Sequence, residues 1–126
     1  MKGIENEWFL SAQLKLTKGD SQVSQLQIKA LLEKRNISQP TNKPTCGSVF
    51  KNPPGDYAAR LIEACGLKGY RIGGAVVSEK HANFIENQGN ATAVDIETLI
   101  QHIQTQVQQQ FGISLQTEVC RIGEEA

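Results

Sequence analysis

The stretch that decides how this chain is organised is Pro44-Thr45-Cys46-Gly47-Ser48-Val49-Phe50-Lys51-Asn52-Pro53-Pro54. Gly47 permits a positive φ angle and a close backbone approach, while the prolines restrict their neighbours to extended or turn conformations. Ser48, Lys51 and Asn52 contribute a hydroxyl, an ammonium charge and an amide, which are groups that hold a phosphate or a carboxylate. The pattern indicates either a loop that grips an anionic ligand or a rigid surface loop whose polar groups face solvent.

Basic residues are concentrated around this loop. Between positions 34 and 80, eight Lys and Arg residues stand against three Asp and Glu residues, although the whole chain is neutral. Such a local surplus favours a small anionic ligand over a nucleic acid duplex, which would need a longer basic stripe. The alternative, a solvated surface that happens to be basic, stays open on this observation.

The length of 126 residues, with 39% hydrophobic and 21% charged content, predicts a single globular domain. We expect neither a membrane span nor a signal peptide, since no apolar run approaches ~20 residues and the first residues are acidic.

The chain has three cysteines, Cys46, Cys65 and Cys120, and no CxxC pair. This spacing argues against a disulfide framework and against zinc, and it favours a reducing cytoplasm. Cys65 has the spacing of a core residue, and Cys46 is either reactive or incidental.

Alternating apolar residues predict a half-buried strand from Glu7 to Thr17 that includes Trp8. The residues before it are too few to supply a pairing partner, so we expect the partner from later in the chain or from preceding sequence. An unpaired edge at this strand predicts some self-association.

Three helices and further strands follow. The first helix is predicted at Ser21–Arg35, with Asp20 as its N-cap and a packed side formed by Val23, Leu26, Ala30 and Leu31. The second helix is predicted at Tyr57–Cys65 and is ended by Gly66. The third helix is predicted from Thr92 to Phe111. Strands are predicted at Phe84–Glu86 and Ile113–Ile122, the latter with Glu118 facing away from Leu115. The predicted fold class is α+β, with about three helices packed on a small mixed sheet.

Three ordered blocks of the sequence carry a resemblance to a known family: residues 47–53, 61–69 and 71–85. They read GSVFKNP, LIEACGLKG and RIGGAVVSEKHANFI. These blocks closely resemble the C-terminal part of UDP-N-acetylenolpyruvoylglucosamine reductase, and the similarity runs from the strand at Trp8 through Gly123.

The resemblance implies a cytoplasmic flavoenzyme of peptidoglycan precursor synthesis. In that family NADPH reduces bound FAD, and the flavin then reduces the enolpyruvyl double bond to give UDP-N-acetylmuramate. By similarity, Ser48 matches the serine that protonates the enol carbon, and Glu118 matches the glutamate that stabilises the enol intermediate. Asn52, and less directly Lys51, match substrate-binding positions, and no metal is implied.

The sequence also departs from the family. Nothing in it corresponds to the N-terminal region that holds FAD, so we expect residues 1–19 to be the terminal strand of that region and residues 20–126 to be the substrate-binding domain. Relatives commonly have an arginine where this chain has Cys120, and Arg121 follows it.

We therefore expect the chain alone to bind no FAD and to reduce no substrate. Three alternatives remain: a UDP-sugar binding module without redox chemistry, a truncated remnant that is inactive alone, and a partner domain that completes an enzyme in trans.

Overall fold

The computed structural model of the protein describes residues 10–123 and contains three helices and one four-stranded sheet. The elements are α1 (Ser21–Ser38), β1 (Thr45–Ser48), α2 (Ala58–Ala64), β2 (Arg71–Ile72), β3 (Ala75–Val77), β4 (Phe84–Asn87) and α3 (Ala93–Phe111). The α+β class is thus confirmed.

The strand order is β1-β4-β3-β2, and all three pairings among the described strands are antiparallel. The predicted mixed sheet is wrong on this point, because short turns that join β2, β3 and β4 reverse the chain each time.

The hydrophobic core lies between the sheet and helices α2 and α3. Helix α3 packs against β2, β3 and α2, and its stripe of Leu99, Ile103 and Val107 is at most 1% exposed. Helix α2 buries Leu61 and Ile62 in the same cluster. Both helices thus bury one apolar face that follows the 3.6-residue helical period.

The ends of α2 and α3 are determined by local chemistry that the sequence reveals. Thr92 Oγ1 accepts from the backbone N–H of Asp95, and the Asp95 carboxylate accepts from the N–H of Thr92, which is a capping box. Gly66 and Gly112, with φ angles of 70° and 68°, follow α2 and α3 in the left-handed conformation. The predicted stop at Gly66 and the predicted start of α3 at Thr92 are therefore confirmed, and α2 is one residue shorter at each end than predicted.

Helix α1 is correctly placed, but its predicted packing is wrong. Its N-cap is Asp20, whose carboxylate accepts from the N–H groups of Gln22 and Val23, and it continues to Ser38 rather than Arg35. No residue of α1 is buried, and Leu26 and Leu31 are 69% and 66% exposed. The helix is present, but no described element buries its apolar side chains.

The strand predicted from Glu7 to Thr17 is not present in the part of it that the structure describes. Residues 10–20 have no regular secondary structure, and Leu10, Leu14 and Leu16 are more than 80% exposed. Alternation specifies a face but supplies no hydrogen-bonding partner, and none is present beside these residues. Trp8 and its proposed role in self-association lie outside the described residues.

The strand predicted over Ile113–Ile122 is reduced to one bridge between Thr117 and Phe50. The predicted faces are nevertheless correct, since Leu115 is 2% exposed and Glu118 is exposed. One reason for the short pairing is that Gln104 Nε2 donates to the Leu115 carbonyl at 2.8 Å, so a side chain takes the place of a strand neighbour. We call residues 113–123 the C-terminal segment.

A buried asparagine fixes the loop that follows β1. Asn83 is 4% exposed; its Oδ1 accepts from the Phe50 N–H at 3.0 Å, and its Nδ2 donates to the Phe50 carbonyl at 2.8 Å. The Asn83 carbonyl also accepts from the Val49 N–H at 2.9 Å. Three backbone groups of Val49 and Phe50 therefore depend on one residue outside the loop.

We predict that Asn83→Ala destabilises the protein by about 2–4 kcal/mol, because the buried N–H and carbonyl of Phe50 both lose their partner. The measurement is the free energy of unfolding in urea, followed by circular dichroism. Asn42→Ala is the matched control, because Asn42 is exposed in a turn. Equal stability of the two variants would contradict the prediction.

Candidate functional site

Ser48 lies at the end of β1, where the strand is irregular. Gly47 has a φ angle of 84°, and the β1–β4 register shifts between Thr45 and Ser48. An added Cβ at Gly47 would contact nothing within 4 Å, so glycine is needed here for its backbone conformation rather than for space. The bulge leaves Ser48 half-buried at the wall of a cleft.

This Ser48 cleft has a volume of about 680 Å³ and lies between the C-terminal end of α1 and β1. Arg35 and Lys43 line it together with Ser48. Arg35 Nε donates to Gln39 Oε1 at 3.2 Å, which restrains the guanidinium near the cleft. Two cations and a hydroxyl at one cleft form a site suited to an anionic ligand.

The sequence did not single out Arg35 or Lys43 as site residues. Both were counted in the basic surplus between positions 34 and 80, and that was the available signal. Only the position of α1 beside β1 places the two cations at the same cleft as Ser48.

A buried carboxylate accompanies Lys43. Glu86 of β4 has a side chain that is 7% exposed, and its Oε2 lies 3.6 Å from Lys43 Nζ. Burial alone raises the pKa of Glu86, but hydrogen bonds from Ser78 and Gln88 and the charge of Lys43 outweigh it and hold that pKa below its usual value. Glu86 is thus kept as an anion, which holds the Lys43 ammonium at the cleft.

Glu118 comes close to Ser48 through the backbone. The Glu118 N–H donates to the carbonyl of Val49, the residue after Ser48, at 2.8 Å. The Glu118 side chain is exposed and is not among the described residues that line the Ser48 cleft. The fold therefore places the two proposed catalytic residues, Ser48 and Glu118, on adjacent backbone segments, but of the two only Ser48 lines that cleft.

Lys51 and Asn52 lie on a different surface. They line a cavity of about 220 Å³ with Pro53, Ser114 and Gln116. Asn52 Oδ1 accepts from the Ala58 N–H at 3.0 Å, so its carbonyl oxygen stabilises the start of α2. Its amide nitrogen and the Lys51 ammonium remain the groups proposed for ligand binding.

Other features of the described residues assign no further chemistry. His81 Nδ1 accepts from the Asn83 N–H at 3.3 Å, which is a structural role. Within residues 10–123 no group of three or more His, Cys, Asp or Glu side chains could hold a metal ion. Over the same range no helix is both long and apolar enough to cross a membrane.

We predict that Glu86→Gln reduces the loss of stability in acid. A carboxyl whose pKa is lowered in the folded state stabilises it above its ordinary pKa of 4.5, and that contribution is lost as the pH falls through the lowered value. The free energy of unfolding of the unmodified protein should therefore fall more steeply below about pH 4.5 than that of the variant. Glu33→Gln, at an exposed position of α1, is the control and should follow the unmodified protein. Parallel curves for all three proteins would rule the interpretation out.

Comparison with known proteins identifies the family. Residues 39–122 match the family model described as the C-terminal domain of UDP-N-acetylenolpyruvoylglucosamine reductase. The chain is 56% identical over 98% of its length to the UDP-N-acetylenolpyruvoylglucosamine reductase of Methylococcus capsulatus, and it covers 41% of that protein. It is 61% identical over 97% of its length to the protein of the same name from Legionella pneumophila (strain Paris), again covering 41% of it.

A solved structure gives the same result. The chain is similar to the crystal structure of UDP-N-acetylenolpyruvylglucosamine reductase from Thermus caldophilus, with a TM-score of 0.66 and 38% identity. The match covers 80% of this chain and 35% of that one. This chain thus spans about two fifths of the length of the curated relatives that it matches. The chain belongs to the UDP-N-acetylenolpyruvoylglucosamine reductase family and contains the C-terminal domain of that family.

Proposed function

We propose that this chain is the substrate-binding part of a cytoplasmic reductase that converts UDP-N-acetylenolpyruvoylglucosamine to UDP-N-acetylmuramate in peptidoglycan precursor synthesis. The observation that supports it best is the Ser48 cleft, where Arg35, Lys43 and a hydroxyl meet. A sugar nucleotide with a diphosphate and a carboxylate is strongly anionic and would complement these cations. The reductase name carried by the relatives supports the reaction class.

Arg35 and Lys43 would bind the anionic groups of the substrate in different ways. The guanidinium of Arg35 can donate two parallel hydrogen bonds to a phosphate or a carboxylate. The ammonium of Lys43 acts as a point charge, and Glu86 holds it in place. This arrangement orients the ligand along the wall that carries Ser48.

Ser48 would donate a proton to the substrate carbon. A serine hydroxyl is a weak acid, so this role requires a strongly basic, carbanion-like carbon held in line with it. The Gly47 bulge and the half-buried position of Ser48 fix the hydroxyl at the cleft wall. Glu118 lies on the segment that is hydrogen-bonded to Val49. It would stabilise the enol form of the substrate once the ligand or a neighbouring part of the protein brings Ser48 and Glu118 together.

FAD and NADPH are the redox groups proposed for the complete enzyme. When bound, the flavin would supply the hydride for the double bond. Residues 68–77 contain three glycines, but their spacing is not the dinucleotide-binding GxGxxG pattern. We therefore assign no residue of this chain to FAD and place its binding in the part of the family protein that this chain does not span.

The exposed side of α1 supports completion of the enzyme by another part of the family protein. Six apolar side chains of this helix, Val23, Leu26, Ile28, Leu31, Leu32 and Ile37, are at least 52% exposed. Helices in proteins are stabilised mainly by packing of an apolar face. We propose that the flavin-binding part packs against these apolar side chains, and that the chain alone binds substrate but does not reduce it.

Calorimetric titration with the UDP-sugar substrate tests the binding proposal. We predict micromolar binding by the unmodified chain and a 10- to 100-fold weaker affinity for Arg35→Ala, about the effect of one lost charge-assisted hydrogen bond. Lys34→Ala is the matched control, because it removes the same charge from the neighbouring position of α1. Equal weakening in both variants would indicate a general charge effect and contradict a specific site.

A reconstituted enzyme tests the role of Ser48. The chain is mixed with the flavin-binding part of the Legionella relative, and formation of UDP-N-acetylmuramate is measured. We predict that Ser48→Ala lowers kcat by about 10²–10⁴-fold, the usual size of a general acid contribution, with little change in KM. Ser48→Thr, which keeps a hydroxyl, should recover part of the rate.

Two outcomes would overturn these assignments. Full activity of Ser48→Ala in the reconstituted enzyme would exclude the proton-donor role. A stoichiometric flavin absorbance band in the purified chain alone would contradict the assignment of FAD to another part of the protein. Substrate binding without any restored turnover would favour the alternative of a non-catalytic binding module.

A further inference from the structure

Two exposed cysteines lie at a common cavity that the proposed function does not use. Cys46 and Cys120 are both free and exposed, and both line a cavity of about 270 Å³. The cavity lies between β1, the first two turns of α3 and the C-terminal segment, with Ile96 and Ile100 among its other lining residues. The sequence singled out both cysteines, Cys46 for its position in the central stretch and Cys120 as a departure from the family.

The topology places the two cysteines on neighbouring backbone segments. β1 is an edge strand that pairs with β4 on one side, and the C-terminal segment runs antiparallel beside the continuation of β1 on the other. Two hydrogen bonds fix this alignment: Glu118 N–H to the Val49 carbonyl at 2.8 Å and Lys51 N–H to the Gln116 carbonyl at 2.9 Å. Among the described residues this pairing ends at the Phe50–Thr117 bridge, and it is the shared cavity that relates Cys46 to Cys120.

An ion pair holds the end of the C-terminal segment at this cavity. Arg121 Nε lies 3.5 Å from Glu97 Oε1 of α3, and both residues line the cavity with the two cysteines. Both cysteines line this cavity, and Cys46 also lines the Ser48 cleft. Closing a disulfide between them requires that their Cα atoms come within about 4.4–6.8 Å. Both residues lie outside helices, Cys46 in an edge strand and Cys120 in irregular backbone.

We propose that Cys46 and Cys120 form a reversible disulfide when the protein meets a low-molecular-weight disulfide. One protein thiolate attacks a sulfur of the oxidant, which forms a mixed disulfide and releases one small thiol. The second protein thiolate then attacks the protein sulfur of that bond and releases the other small thiol. Two protein thiols are oxidised and one small disulfide is reduced to two thiols, so the electrons balance.

The third cysteine is the natural comparison. Cys65 is partly buried at the C-terminal end of α2, away from the other two cysteines, and burial raises the pKa of its thiol. A thiol with a raised pKa has less thiolate and reacts more slowly with disulfides. The greater exposure of Cys46 and Cys120 and their common cavity favour reaction of this pair over any pair that includes Cys65.

The disulfide would connect the two segments that carry the proposed catalytic residues. Cys46 lies two residues before Ser48, and Cys120 lies two residues after Glu118. The bond therefore fixes the separation of these segments, and its effect on ligand affinity rests on the proposed function. The bond itself does not, because its formation is read from the mass of the protein without any ligand.

The test treats the reduced chain with oxidised glutathione and measures intact mass, a peptide map and the melting temperature. We expect a loss of about 2 Da, one peptide pair that joins Cys46 to Cys120, and reversal by dithiothreitol. The melting temperature should rise by on the order of 10 °C, because a long loop is closed in the unfolded chain. Cys65→Ser should behave identically, whereas Cys46→Ser and Cys120→Ser should show neither change.

Several results would overturn the proposal: separate glutathione adducts on Cys46 and Cys120, a bond that involves Cys65, or bonds only between different molecules. The peptide map of the unmodified chain decides this even if a variant fails to fold. Titration of the reduced and oxidised chains with the UDP-sugar separates the two proposals. A 2 Da loss with no ligand binding in either state would leave the disulfide standing and exclude the proposed function.

Discussion

The contact between the Asn83 side chain and the backbone of Phe50 is the constraint on which the rest of the site depends. Phe50 is 1% exposed, so its N–H and carbonyl are removed from water and must be paired within the protein. Because residues 49–52 follow a bulge and precede a Pro-Pro pair, their backbone cannot continue a regular ladder. Asn83 supplies a donor and an acceptor from one amide, which is what an irregular segment needs in place of a neighbouring strand.

The position of Asn83 is itself determined by a buried turn. Ser78 is 0% exposed, and its Oγ accepts from the N–H groups of Lys80 and His81, which shapes the turn between β3 and β4. The chain from this turn to Phe50 is continuous: Ser78 forms the turn, the turn presents Asn83, and Asn83 fixes Phe50. Ser48 precedes that fixed point and Lys51 follows it, so both proposed ligand-binding surfaces inherit their position from the turn. The Val49 carbonyl extends the same constraint to Glu118.

Helix α1 takes no part in the buried core, but its polar groups belong to the Ser48 cleft. The compact part, from about Pro40 onwards, has a complete core on one face of the sheet, while α1 contributes no buried side chain to it. Nevertheless, α1 supplies Arg35 to the Ser48 cleft, and the Lys80 ammonium donates to the Asn36 carbonyl at the end of α1. The helix is therefore attached to the site through polar groups and through Leu32, which also lines the Ser48 cleft, while none of its side chains is buried. This division fits a chain whose matched relatives are more than twice as long.

The sequence by itself determined the features that depend on neighbours along the chain. The period of apolar residues predicted α2 and α3, Asp20 and Thr92 marked helix starts, and Gly47 marked a positive φ angle. The ordered blocks around Ser48 also identified the family, because their specificity lies in residue order rather than in three-dimensional contacts. In these cases the physical cause, a hydrogen bond or a steric limit within a few residues, is present in the sequence itself.

Tertiary structure alone decided the strand pairings and the cavities that depend on residues far apart in the sequence. The alternation at Glu7–Thr17 and Ile113–Ile122 predicted two strands, but a strand forms only where a second backbone offers hydrogen bonds, and the described residues offer almost none there. The grouping of Arg35, Lys43 and Ser48, and the common cavity of Cys46 and Cys120, join residues that are up to 74 positions apart. Periodicity carries no information about such pairs, since it reports which face of an element is apolar and not which other element will cover it.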